Sequence, residues 1–106
     1  MRFAGSWHLM SGTSAATPVW AGLVTQLNAQ RQQRGQSSLG FLNPLLYELA
    51  ASANATPFVD ITEGENGCGE GGTCCSHAWF KAVAGYDAMT GLGTPDFPKL
   101  AELLAV

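Results

Sequence analysis

The residue best suited to chemistry is Ser14, in the stretch SGTSAATPVW at positions 11–20. A nucleophilic serine needs an exposed hydroxyl, a base beside it and N–H donors for a developing oxyanion. A tight turn running into an apolar helix supplies the first and part of the third. Gly12, Ala15 and Ala16 are small enough to let a substrate backbone come close. A helix N-terminus adds unspent N–H groups and a partial positive charge. The same residues have a plainer use, in which Ser14 or Thr17 only caps the helix. Pro18 is expected in the first helical turn, where a missing N–H costs least.

A second group of reactive side chains lies further along. Four of the eight acids (Asp60, Glu63, Glu65 and Glu70) fall in one loop-like stretch, and Asp87 follows. The three cysteines, Cys68, Cys74 and Cys75, sit in the Gly-rich segment GCGEGGTCC. With His77 they could form a zinc site, but adjacent cysteines and a lone histidine match none of the usual ligand spacings. A loop disulfide from Cys68 to Cys74 or Cys75, formed in an oxidising compartment, is the expectation. The odd count leaves one thiol for a partner outside the chain. Asn54 begins a glycosylation sequon in form, closely followed by Pro57.

These residues need elements to hold them. Residues 3–10, FAGSWHLM, read as a short buried strand. From about Ala16 to Arg34, the apolar residues Val19, Trp20, Leu23, Val24 and Leu27 recur every three or four positions, which predicts a helix buried on one side. Its polar end and Gly35 form a stop. Asn43 as cap and Pro44 as first helical residue start a second, shorter helix. FVDIT at Phe58–Thr62 reads as a strand, residues 63–78 and the stretch GYDAMTGLGTPDF as loops, and PKLAELLA as a terminal helix capped by Asp96. Two strands and three helices suggest one edge of an α/β domain, and a doubly wound sheet needs more strands. The chain is therefore expected to be part of a larger domain.

The totals narrow the class. The chain has 106 residues, of which 46% are apolar, ample for a core and unlike a disordered segment. The net charge of −3 comes with no basic patch, which argues against nucleic acid as a partner. No apolar run reaches the roughly 18 residues that cross a membrane. MRFAGSWHLM lacks the apolar region and cleavage pattern of a secretory signal.

GTSAATP matches the pattern around the nucleophile of subtilisin-like serine peptidases. Three further stretches, GFLNPLLY at 40–47, FVDIT at 58–62 and AVAGYDAMTGLGTPDF at 82–97, resemble the C-terminal part of the sedolisin family, which includes the lysosomal tripeptidyl-peptidases. The likeness runs from about Ser11 to Leu104. It implies the C-terminal part of a catalytic domain, with a subtilisin-like doubly wound parallel sheet and flanking helices. The whole would be an acid serine peptidase, either an endopeptidase or a tripeptidyl-peptidase, of a secreted, lysosomal or otherwise acidic compartment. Ser14 is implied as the nucleophile. Asp60 and Asp87 are implied as side-chain ligands of a calcium ion, with backbone carbonyls from Ile61, Val83 and Gly85. Two carboxylates, three carbonyls and water reach the six oxygens that calcium requires. The chain departs from the family where Ala88 and Met89 stand in place of Pro-Val, where Val83 replaces a frequent glycine, and in the Cys-rich insert.

The family's mechanism also sets an expectation of incompleteness. Its serine works with a glutamate, an aspartate and an oxyanion-hole aspartic acid, all of which precede it, and residues 1–10 contain no acid. These 106 residues alone are therefore expected to be inactive, their partners being a peptide substrate and the preceding part of the domain. Carboxylates suit acid conditions. At a pH of about 4 a histidine is already protonated, whereas a glutamate of pKa about 4.3 still accepts a proton. Two other readings remain: a non-catalytic or degenerate calcium-binding homologue, and a subtilisin-type peptidase with a histidine base, against which the GYD and FVDIT segments argue. Within this chain His8 is the obvious substitute base, but six residues ahead on the expected strand it is expected to point elsewhere.

Overall fold

The computed structural model describes residues 2–10, 12–52, 56–67 and 79–104. It divides into two units, residues 1–40 with 104–106, and residues 41–103. Helices and short antiparallel strands are mixed along the chain.

The first unit opens with a hairpin where a single strand was expected. Strands β1 (Arg2–Phe3) and β2 (Ser6–Trp7) pair antiparallel, with Phe3 opposite Ser6. Ala4 and Gly5 between them both take positive φ, 48° and 83°. That is the geometry of a two-residue hairpin turn, and Gly5 adopts it without steric cost. The segment is also not buried: Phe3 is 70% exposed and Trp7 81%.

Helix α1 (Thr13–Gln33) starts three residues earlier than the apolar spacing indicated, because Gly12 turns the chain at φ 95° and becomes the cap residue. Pro18 consequently lies in the second turn, inside the helix. At the other end, Gly35 takes φ 73°, Gly35 N–H donates to the Gln32 carbonyl (3.0 Å) and Gln36 N–H to that of Arg31 (2.9 Å). This left-handed stop uses the last free carbonyls. Leu27 is the buried side chain of the helix. The Asn28 carboxamide oxygen accepts from Leu39 N–H at 2.9 Å, and the Arg31 guanidinium donates to the carbonyls of Ser37 and Leu104, at 2.8 and 2.7 Å.

In the second unit, α2 (Asn43–Ala51) begins as expected near Pro44, although Leu42 and not Asn43 occupies the cap position, with no side-chain hydrogen bond. Strand β3 is shorter than FVDIT suggested, only Phe58–Val59. It pairs antiparallel with β4 (Thr94–Pro95), a strand inside what reads as a loop, with Val59 opposite Thr94. Helix α3 (Phe97–Leu104) follows at once. Asp96 caps it as expected, accepting from Lys99 N–H at 3.3 Å and pairing with the Lys99 ammonium at 3.2 Å. Leu42, Pro57, Phe58, Ala82 and Leu100 are among the buried residues of this unit. All described sheets are two-stranded and antiparallel. No described helix is long and apolar enough to cross a membrane.

Candidate functional site

Ser14 is the second residue of α1 and is exposed. The first N–H groups used by the helix are those of Ala15 and Ala16, both donating to the Gly12 carbonyl at 3.0 and 3.2 Å. The N–H groups of Thr13 and Ser14 therefore have no partner within the helix. No side chain caps this end, so neither Ser14 nor Thr17 plays the capping role. Pro18 adds a consequence. It stands four residues after Ser14, where its own N–H would have bonded the Ser14 carbonyl, so that carbonyl also lacks its usual helical donor. The N–H of this exposed residue thus has no helical acceptor, its hydroxyl makes no cap bond, and its carbonyl lacks the donor four residues on. His8, the obvious histidine in this unit, has its ring edge-on to Phe3 with centroids 6.3 Å apart.

The second unit gathers Asp60 and Asp87 onto one short piece of backbone. Asp60 follows β3 directly, and its Oδ2 accepts from Gly85 N–H at 2.7 Å. Asp87 Oδ2 accepts from Val83 N–H at 3.1 Å. Its Oδ1 accepts from Met89 N–H at 2.9 Å and Thr90 N–H at 2.7 Å. The Thr90 hydroxyl lies within reach of both carboxylate oxygens, at 3.0 and 3.1 Å. The backbone closes the same turn, since Gly91 N–H donates to the Asp87 carbonyl at 2.9 Å. Asp87 is 6% exposed. The Thr90 N–H, foremost among these donors, holds its carboxyl below the usual carboxylate range, against the opposing pull of burial.

Residues 83 and 85, expected to contribute carbonyls, thus present their N–H groups to the two acids. Thr90 is the residue that sequence reasoning missed. The signal was available: an aspartate followed three positions later by a threonine is a pattern in which the acid accepts local N–H groups. Beside Asp60 lies a cavity of about 390 Å³, lined among others by Tyr47, Phe58, Tyr86 and Leu92.

Two carboxylates on one backbone segment are hard oxygen donors of the kind calcium takes. Among the described residues no group of three or more His, Cys, Asp or Glu side chains gathers as a metal cluster, so backbone carbonyls would have to complete the shell. A carboxylate offers about four lone-pair sites. The four donors around Asp87 occupy them, and the Thr90 hydroxyl is the one that can rotate away without moving backbone. With that change one Asp87 oxygen would have a lone pair for a cation, which is the donor chemistry that calcium takes. Cys68, Cys74, Cys75 and His77, with Glu70 and Asn54, lie outside the described residues.

No family model matches the chain. Curated proteins do. Over 94% of its length it is 46% identical to "Tripeptidyl-peptidase sed4" of Aspergillus fumigatus, of which it spans 18%. It is 44% identical over 92% to "Physarolisin" of Physarum polycephalum, spanning 16% of that protein. It is 43% identical over 88% to "Tripeptidyl-peptidase 1" of Dictyostelium discoideum, spanning 14%. The chain therefore covers less than a fifth of the length of each of these relatives.

Proposed function

The chain belongs to the sedolisin family over the segment that it spans, and we propose from that premise that it is the C-terminal part of the catalytic domain of an acid serine peptidase. The parallel, doubly wound sheet of such a domain would be built from strands outside these 106 residues, since the described pairs are antiparallel. The substrate is a peptide or protein, and the relatives' names favour removal of tripeptides over internal cleavage. A secreted or lysosomal, acidic setting goes with that chemistry.

The observation that carries this reading is the state of Ser14: exposed, on the first turn of α1, with no capping bond, in a chain 46% identical to a tripeptidyl-peptidase. The Ser14 Oγ forms a bond to the scissile carbonyl carbon while its proton passes to a carboxylate base outside these 106 residues. The leaving amine takes a proton as the peptide C–N bond breaks, and water then hydrolyses the acyl ester. The free N–H groups at the start of α1 add positive potential where the oxyanion forms. Because residues 1–13 contain no acid, this chain alone has no peptidase activity.

Asp60 and Asp87, with the carbonyls of Ile61, Val83 and Gly85, would hold a calcium ion. Bound there, calcium supplies fixed positive charge that ties β3 to the loop before β4. Support comes from both carboxylates bonding to residues 83–85.

The test is labelling of the full-length protein at acid pH with a fluorophosphonate or a peptide aldehyde. Wild type should react and Ser14→Ala should not. Equal labelling of both would remove Ser14 from the mechanism.

A further inference from the structure

Gly93 stands where the chain leaving the Asp87 turn crosses the chain that carries Asp60. The pairing of Val59 with Thr94 and of Phe58 with Pro95, continued by one step, sets Gly93 against Asp60. Its φ is +89°, a conformation side chains rarely adopt. The close approach matters more. A Cβ on Gly93 would overlap the Val59 carbonyl oxygen and lie 2.9 Å from the Val59 carbonyl carbon and 3.1 Å from Asp60 Cα. No other described glycine meets backbone this closely, and most of those with positive φ face open space. The Val59–Asp60 peptide therefore lies directly on the bare Cα of residue 93. On the other side, Gly93 N–H donates to the Thr90 carbonyl at 3.0 Å, and Thr90 holds Asp87.

We infer that Gly93 is a positioning residue for the Asp60 carboxylate, setting its distance from the Asp87 turn and hence the geometry of the cation site. This rests on the calcium reading above. Any side chain at 93 pushes residues 59–60 away, and Asp60 with them, while leaving both carboxylates in the sequence. Residues that orient metal ligands without touching the metal commonly change affinity by about 10- to 100-fold when replaced.

The experiment measures calcium affinity by calorimetry, and melting temperature in calcium and in chelator, on the full-length protein. Wild type, Gly93→Ala and Gly35→Ala are compared. Gly35 has φ +73° with no heavy atom within 4 Å of the added Cβ, so its variant carries backbone strain without displacement. Gly93→Ala should bind calcium about 10- to 100-fold more weakly and regain melting temperature only at high calcium. Gly35→Ala should lose the same amount in calcium and in chelator, with affinity unchanged. A wild type that neither binds calcium nor melts differently in chelator removes the calcium reading and this inference with it. A calcium-binding wild type with undiminished affinity in Gly93→Ala overturns the inference alone. So does a Gly93→Ala chain that stays unfolded at saturating calcium while Gly35→Ala folds, since residue 93 then serves the fold and not the site.

Discussion

The turn at Ser14 and the turn at Asp87 treat their polar groups in opposite ways. At Ser14 they are left out: the residue is exposed, no side chain caps the helix, and Pro18 cannot serve the Ser14 carbonyl. At Asp87 they are used up: the carboxylate is 6% exposed and accepts from Val83, Met89 and Thr90. On the proposed function, the difference separates a residue that keeps its groups for an outside partner from one held by its own loop, in which the Thr90 hydroxyl alone can give way to an ion. A reactive serine has to keep its hydroxyl unspent, whereas a carboxylate that organises a loop works by being saturated.

The sharpest way to break this contrast is at Ser14. In the full-length protein Ser14→Ala should lower kcat/KM by about 10⁴-fold or more. The melting temperature should hardly move, because no capping bond is lost. A large drop in stability would mean that the hydroxyl is structural, and the contrast would collapse.

Asp87→Asn should do the reverse. Its amide would keep one oxygen for the N–H groups of Met89 and Thr90 but turn an NH2 toward Val83 N–H, so the melting temperature should fall by several degrees in chelator and by more in calcium, where a ligand is lost as well. Asp60→Asn keeps an oxygen for Gly85 N–H. It should therefore melt like wild type in chelator and lose only the calcium-dependent gain. Equal behaviour of the two variants in chelator would show that the Asp87 donors carry little weight.

Acid provides a milder probe of the same carboxylate. The folded value of Asp87 lies below its ordinary 3.8, so its contribution is fully present above about that pH and fades as pH falls through the lower folded value. Part of the decline in melting temperature below pH 3.8 should thus vanish in Asp87→Asn. An unchanged acid profile would count against a saturated carboxylate.

The smallest effect belongs to Thr90→Val, which removes a rotatable donor and keeps the shape. It should lower the melting temperature slightly in chelator and not in calcium, widening the calcium-dependent difference. A narrowing would mean that the hydroxyl helps to hold the ion.

Amino-acid order by itself determined what depends on near neighbours. The apolar spacing and Gly35 define α1 and its stop, Pro44 places the start of α2, and Asp96 caps α3, because each acts within about one helical turn. The functional candidates Ser14, Asp60 and Asp87 were also legible, through motifs similar to those of a known family. What only the tertiary structure decided is which distant segments meet. That Thr94–Pro95 pairs with Phe58–Val59 is such a fact, as are the close passage of Gly93 over Asp60 and the donation of Gly85 N–H to a carboxylate 25 positions away. The hairpin at Arg2–Trp7 is a different kind of miss. Ala4 and Gly5 reverse the chain locally, yet an apolar run of that length reads equally well as one strand, and only its surroundings decide between burial and exposure.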